Sequence, residues 1–513
     1  MSYDGDQSNN SLRPFTLLLD SDRYEDARQT RDARFDGRFF VGVLTTGIYC
    51  RPVCPVRVPK KENVNLYKSA AAAAAAGVRP GRRCRPESSP GTPAWSGTSW
   101  KVSRTLQLID QGFLDDHSVD ELAQQISVGP RQLTRLFQQH LGASPVEVAQ
   151  TRRLHFAKKL LDETKMPLVD ICFAAGFGSV RRFNAVFNAT YGRSPKQLRY
   201  KAQIKTGAGK DLAAPGITLR LYYRPPFDWC ALLAFLQYRA IPGVEHVTPT
   251  SYARTIRLDG KTGDFEVRFL EQGNALDVQI NFPDSRLLYH IIDRVRSLFD
   301  LRADSAQIDE FLARDALMKV IVQQFPGSRV PGCWDGFEVA VRAILGQQVT
   351  VKAASTLVAR IAARYGQPYH CGNPALTHVF PDANTLASAA MDNLGIVGQR
   401  IAAINAVADG VSRGRLPIHS ATETTEFVRE ICKIKGIGEW TADYISMRAL
   451  SDPNAFPHSD LILRRAAAPP GSELTAKQLL LRAEVWQPWR AYAVILLWRH
   501  YQVTQQKLKL AAK

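Results

Sequence analysis

Cysteine is scarce in this sequence, and no apolar run reaches membrane length. Eight cysteines in 513 residues, scattered from Cys50 to Cys432, do not form the dense framework that staples small secreted domains. No stretch approaches the roughly 18 consecutive apolar residues of a membrane helix. The blandest segment, residues 70–76, is all alanine and would not hold in a bilayer. The first ten residues, MSYDGDQSNN, are polar and acidic and do not read as a signal peptide. The expectation is a cytoplasmic, nucleoid-associated protein with no membrane partner. Acidic side chains are also in deficit: 48 Asp and Glu stand against 66 Lys and Arg, a formal net charge of +18. Such an excess suits a binder of polyanions, although composition alone is weak evidence.

Hydrophobic residues make up 45% of the chain and aromatics 9%, enough to bury real cores. The length is too great for one core and points to three or four domains. Two stretches dense in Pro, Gly, Ser and Thr or in Gly and Ala, residues 85–99 and 201–216, read as linkers. They set off a Cys/Arg-rich head (1–85), a helical block (100–200) and a long remainder. That remainder begins with period-two alternation in ITLRLYY (217–223) and again over 255–282, then turns helical. It divides into an α/β part (211–300) and an all-helical part (301–505).

The helical block repeats itself. Phe137-Gln-Gln-His-Leu-Gly142-Ala-Ser-Pro145 returns as Phe187-Asn-Ala-Thr-Tyr-Gly192-Arg-Ser-Pro195, fifty residues later. Each copy follows a short apolar helix, a small-residue turn and a helix studded with basic residues. Two short helices joined by a tight turn can place the second in a major groove. The candidate DNA contacts are Arg131, Gln132 and Arg135 in one copy, and Arg181, Arg182 and Asn184 in the other. These residue types make bidentate contacts to guanine and adenine edges. The plainer alternative is a helical bundle with solvated charges. The block resembles the AraC-type paired helix-turn-helix domain.

In the head, Cys50-x3-Cys54 is half of a plausible zinc site, and Cys84 is a third thiol. Arg51, Arg57, Lys60, Lys61, Arg82, Arg83 and Arg85 surround them, a field expected to favour thiolate and attract phosphate. The head resembles the N-terminal domain of the Ada family. That resemblance implies that Cys50, Cys54 and Cys84 bind Zn2+ and that Cys50 accepts a methyl group from a DNA methylphosphotriester. The family's remaining cysteine falls on Gly81, and no histidine precedes His117 to replace it. Two readings stay open: weakened zinc held by three thiolates, or a head with neither tight zinc nor methyl transfer.

The sharpest signal is Ile434-Lys-Gly436-Ile-Gly438-Glu-Trp440-Thr-Ala-Asp-Tyr444, followed by Asp460 twenty residues after Trp440. A Gly-x-Gly turn between helices can aim N–H groups at a DNA phosphate. Trp440 and Tyr444, four apart, share a helix face. With WDGFEVAVRAILGQQVTVKAA (334–354) and WQPWRAYAVILLW (486–498), the pattern resembles the AlkA type of 3-methyladenine glycosylase in the helix-hairpin-helix superfamily. The resemblance spans about residues 211–505, more than half the chain.

It implies Asp460 as the catalytic carboxylate and Trp440, Tyr444 and Trp498 as the pocket for a flipped base. Gly436, Gly438 and Lys435 fall on the hairpin that holds the DNA backbone, and Gln348 stands where the family has a wedging leucine. Lyase-competent relatives carry a lysine at the place of Trp440, so a monofunctional enzyme is expected, with no cofactor for base release. Lys433 and Lys435 read as phosphate contacts. No cysteine follows Cys432, so no iron–sulfur cluster is expected. Cys172, Cys230, Cys333, Cys371 and Cys432 read as core residues.

The fold expected is a multidomain α+β chain: a small zinc-type head, an all-α paired helix-turn-helix, an α/β domain and an all-α helix-hairpin-helix glycosylase domain. The function expected is removal of alkylated bases fused to a regulator of the alkylation response. Its partners would be double-stranded DNA, both damaged and promoter sites, with RNA polymerase a further candidate. The rival class is a DNA-binding regulator whose C-terminal half is a non-catalytic sensor.

Overall fold

A computed structural model describes residues 21–90, 100–199, 216–420, 422–469 and 471–511. The polar N-terminus and most of both expected linkers lie outside the described residues. The chain is multidomain and mixes helix with sheet, and successive hydrophobic cores mark its organisation.

In the head, β1 (Phe40–Val43) pairs antiparallel with β2 (Ile48–Cys50) and β3 (Val64–Tyr67), and β4 (Arg79–Pro80) adds parallel to β2. Strand alternation sends Phe39 and Val41 to one core and Phe40 to another, where Tyr49 and Ala73 meet it. The alanine segment forms α1 (Ala70–Ala75), capped by Ser69 and packed on that second face. The β2–β4 register sets Tyr49 opposite Pro80, which brings Cys50 and Gly81 side by side.

The repeat folds as two helix pairs: α2 (Val119–Gln125) with α3 (Pro130–Leu141), and α5 (Leu168–Ala174) with α6 (Val180–Tyr191). Between them lies the 19-residue α4 (Pro145–Glu163). The repeated Gly-x-Ser-Pro is punctuation. Gly142 and Gly192 end α3 and α6 at φ +70° and +63°, a conformation that favours glycine. Ser144 and Ser194 then accept from the amides of Glu147 and Gln197, both at 3.3 Å, and Pro145 starts α4 without an N–H to leave unpaired.

The first helix pair has its own core around Leu122, Leu133 and Phe137. The second does not. Phe183, Phe187 and Tyr191 share one core with the next domain, a five-stranded antiparallel sheet ordered β5-β9-β8-β7-β6. Its strands are β5 (Ile217–Tyr222), β6 (Glu245–Val247), β7 (Ser251–Leu258), β8 (Lys261–Leu270) and β9 (Ala275–Asn281). The alternation in the sequence locates all of these except the three-residue β6, which is too short to show a period. The helix α7 (Trp229–Arg239) buries Trp229, Leu232, Leu233 and Leu236 in the same core.

The remainder is helical, with α8 (Gly336–Leu345), α9 (Val351–Tyr365) and α10 (Gly398–Ser412) among its helices, around a large core that includes Ile344, Ile404, Ile445 and Trp486. Among the described residues no helix is long and apolar enough to cross a membrane. The head docks on both halves of the repeat. Ser69 Oγ donates to Leu141 O at 2.9 Å and Arg82 to Tyr191 O at 2.7 Å, the last residues of α3 and α6.

Candidate functional site

Asp460 caps the short helix α13 (Leu461–Ala466), after the helix-hairpin-helix pair α11 (Thr424–Ile431) and α12 (Glu439–Arg448). Oδ1 accepts from Leu463 N at 3.0 Å. Both indoles donate to the same carboxylate, Trp440 Nε1 to Oδ2 at 2.9 Å and Trp498 Nε1 to Oδ1 at 3.2 Å. Three N–H groups thus fix the orientation of an anion at the start of a helix, where the backbone dipoles favour it.

Trp440, Tyr444, Trp498 and Asp460 all line one cavity of about 590 Å³. The Trp440 and Tyr444 rings stack at 5.6 Å with 10° between planes, and Trp498 tilts against Tyr444 at 6.4 Å. The four-residue spacing on α12 produces the stack directly.

One feature of this cavity is absent from the sequence reading. Arg239 at the end of α7 and Arg342 on the helix Gly336–Leu345 line its wall, and Arg448 lies behind it. Arg448 donates to Tyr444 Oη at 2.8 Å and is held by Gly332 O and Pro331 O. None of the three arginines has an ion-pair partner among the described residues. Burial alone would raise the Tyr444 phenol. Arg448, Arg239 and Arg342 outweigh it and bring the phenol down to about 8. A basic residue inside the FEVAVRAIL segment, apolar apart from it and Glu338, was the available signal for Arg342. Arg239 lies some two hundred residues from the hairpin and gave none.

At the hairpin, Gly436 adopts φ +93°, which only glycine takes easily, whereas Gly438 does not. Gly438 is the N-cap of α12 and makes no side-chain cap, so the first amides of that helix face outward unpaired by any side chain. Lys435 is exposed and has no ion pair among the described residues. Lys433, expected beside it as a phosphate contact, is instead bound to Glu430 through both carboxylate oxygens at 2.7 Å. Gln348 is exposed with a left-handed backbone, φ +55°. Its neighbour Gln347 donates to Gly436 O and Thr441 Oγ1, each at 2.9 Å, and so ties the Gln348 loop to the hairpin.

All six candidate groove contacts, Arg131, Gln132, Arg135, Arg181, Arg182 and Asn184, are exposed, while Leu133 and Phe137, and Phe183 and Phe187, turn inward. The amphipathic split is the same in both copies.

In the head, the sulfurs of Cys50, Cys54 and Cys84 lie within 4.8 Å of one another. A Cβ placed on Gly81 would fall 2.9 Å from Cys50 Sγ and 3.2 Å from Cys84 Sγ, so position 81 faces the missing corner. These residues fit zinc as an open three-thiolate site and not as a closed structural one. Two arginines of the field expected around the thiols are spent elsewhere. Arg51 is bound to Asp36, and Arg85 to Asp162 and Glu163. Hydrogen bonds from Cys50 and Cys84 hold the Cys54 thiol well below the ordinary thiol value, while the bonds of Cys50 to Cys54 and Cys84 push Cys50 upward. Of the five remaining cysteines read as core, Cys172 is buried, Cys333 and Cys432 pack partly buried against the helical core, Cys371 is half-buried outside the cores, and Cys230 on α7 is exposed.

Three sequence families match in order: the metal binding domain of Ada over residues 23–87, a helix-turn-helix domain over 122–201, and the AlkA N-terminal domain over 218–335. DNA-3-methyladenine glycosylase 2 of Escherichia coli is 31% identical over 287 residues, 54% of this chain and 95% of that protein. The solved 3-methyladenine DNA-glycosylase from Archaeoglobus fulgidus shares the fold at a TM-score of 0.50 and 21% identity, over 55% of this chain and 98% of that one. The probable bifunctional transcriptional activator/DNA repair enzyme AlkA of Mycobacterium tuberculosis is 39% identical over 479 residues, 93% of this chain and 96% of the relative. Matched along nearly its whole length by that relative, the chain belongs to the AlkA family of bifunctional transcriptional activator/DNA repair enzymes.

Proposed function

We propose that the chain is a monofunctional glycosylase that hydrolyses the N-glycosyl bond of alkylated bases in DNA, joined to a sequence-specific regulator of the alkylation response. The observation that carries the first half is the Asp460 carboxylate, gripped by both indoles at the wall of an aromatic cavity. Alkylation at a ring nitrogen makes the base cationic and a good leaving group. What the enzyme must supply is extrusion of the nucleotide and a place to hold it. Gln348 fills the gap left in the duplex, with less apolar burial than leucine would give. The Trp440–Tyr444 stack and Trp498 receive the electron-poor base, a preference worth about 1–2 kcal/mol. As the bond lengthens, positive charge builds on the sugar, and Asp460 stabilises it and orients water. Trp440 occupies the place of a Schiff-base lysine, so no strand cleavage accompanies base release.

The exposed faces of α3 and α6 read promoter DNA, which makes RNA polymerase a partner and the cytoplasm the place of action. In the head, Cys50, Cys54 and Cys84 would hold zinc, which keeps thiolates deprotonated when bound. Cys50 is the methyl acceptor in this reading.

The deciding assay is incubation with duplex DNA carrying 3-methyladenine, followed by electrophoresis with and without alkali. Strand breaks only after alkali support monofunctional base release. Breaks without alkali would overturn the monofunctional assignment. No breaks in either lane would leave the C-terminal half as the non-catalytic sensor of the rival class.

A further inference from the structure

Three tyrosine hydroxyls of this protein donate to a carboxylate, and the hydroxyl of Tyr444 does not. Tyr492 donates to Asp300 at 2.8 Å, Tyr369 to Asp264 at 2.7 Å, and Tyr252 to Glu245. Each phenol proton has a carboxylate to receive it. The Tyr444 oxygen accepts from Arg448 Nη1 at 2.8 Å, and Arg239 and Arg342 line the wall of the same cavity. No acceptor for its proton is present among the described residues. The three guanidiniums come from three different helices and, among the described residues, carry no ion-pair partner, and Asp460 is the only described carboxylate lining the cavity.

Such a wall is poorly matched to a pocket meant only for cationic bases, because Arg239 and Arg342 would repel them. It is well matched to a group that must give up a proton and leave an anion behind. On the glycosylase reading above, we propose that Tyr444 is a second catalytic residue, the general acid for damaged bases that are neutral and would otherwise depart as anions. The C1′–N bond breaks with its electron pair going to the base. The phenol proton passes to a ring nitrogen or carbonyl oxygen of that base. Water adds to C1′ and releases its proton to solvent. The tyrosinate left between Arg448 and Arg239 regains a proton from water after the base departs. Cationic bases leave neutral and do not need this step, so one pocket serves two classes of lesion. A phenol brought down to about 8 is close to the working pH, where an acid is most effective.

The test compares single-turnover release from two duplexes, one with 7-methylguanine and one with hypoxanthine, by wild type and Tyr444→Phe. The phenylalanine keeps the ring stack on Trp440 and removes only the hydroxyl. The expected result is a loss of about 100-fold on hypoxanthine and less than about threefold on 7-methylguanine. For wild type, hypoxanthine release should fall above about pH 8 while 7-methylguanine release does not. Arg239→Gln should move that alkaline limb upward, towards the ordinary phenol value of about 10. Equal losses on both lesions, no loss on either, or an alkaline limb that survives in Tyr444→Phe would overturn the proposal. So would a wild type that releases 7-methylguanine and no hypoxanthine. A wild type that releases neither base defeats the glycosylase reading itself.

Discussion

In the aromatic cavity both oxygens of Asp460 are occupied, one by Trp440 and the other by Trp498 and the Leu463 amide. In the thiol cluster three sulfurs converge and the fourth direction ends on the Cα of Gly81. Both sites gather residues from separate elements, yet one is saturated with partners and the other lacks a corner. A site whose partners are all present depends on each of them for its chemistry. A site with a missing corner depends first on whether that corner can be restored. The two should therefore respond to substitution in opposite directions, the pocket only losing function and the cluster able to gain it.

The largest loss is expected for Asp460→Asn. The amide keeps the shape but removes the charge, and its NH2 must face an indole N–H. Base release should fall by on the order of 10³ or more, while affinity for undamaged duplex stays within about twofold. Wild-type rates of 3-methyladenine release would remove Asp460 from the mechanism.

The opposite response is expected for Gly81→Cys. Gly81 does not use the left-handed backbone, so a side chain is not excluded by conformation. Its Cβ would sit 2.9 Å from Cys50 Sγ and 3.1 Å from the backbone oxygen of Tyr49, so Cys50 and the end of β2 would both need to give way by a few tenths of an ångström. Metal analysis after dialysis should find well under one zinc per wild-type chain and close to one in the variant. One tightly held zinc in the wild type would show that three thiolates are enough.

The same contrast explains what could be read from the sequence. Asp460, Trp440 and Tyr444 lie within 21 residues of one another, and helical spacing alone puts the two aromatics on one face. The gap at Gly81 was equally legible, because it sits in a short motif beside Cys84. Arg239 was not legible: it reaches the pocket only through the packing of a sheet-backed helix against the helical core, a contact with no local signature. The lysines show a different limit. Lys433 and Lys435 look alike in sequence, and only the fold reveals that Glu430 neutralises one of them. Two members of the basic field around the thiols were misassigned for the same reason, since Asp36 holds Arg51 and Asp162 and Glu163 hold Arg85.

Trp440→Ala should fall between these extremes and sharpen the account of the pocket. It removes a stacking face worth about 1–2 kcal/mol together with a hydrogen bond to Asp460, so excision of cationic bases should drop by at least about tenfold. Undamaged duplex offers nothing flipped to stack on, and binding to promoter DNA should change little. Parallel loss of both activities in filter-binding and excision assays would mean that the pocket and the helix-turn-helix faces form one DNA-binding surface.

The smallest effect is expected at the hairpin, where the comparison can be made between neighbours. Lys435 is free and Lys433 is engaged by Glu430, although both precede the same Gly-x-Gly turn. If the exposed amides at the start of α12 cradle a phosphate, the free lysine adds one counterion-releasing contact and the paired one adds little. Lys435→Ala should therefore weaken binding to any duplex by a few fold and lower the slope of log affinity against log salt by about 1. Lys433→Ala should leave that slope within about 0.3 of wild type, because its removal also frees a carboxylate that Arg429 can take up. Equal slopes for the two variants would show that the ion pair opens on DNA and that the hairpin uses both lysines. The contrast between neighbours would then vanish, while Asp460 and its two indoles would be untouched by the result.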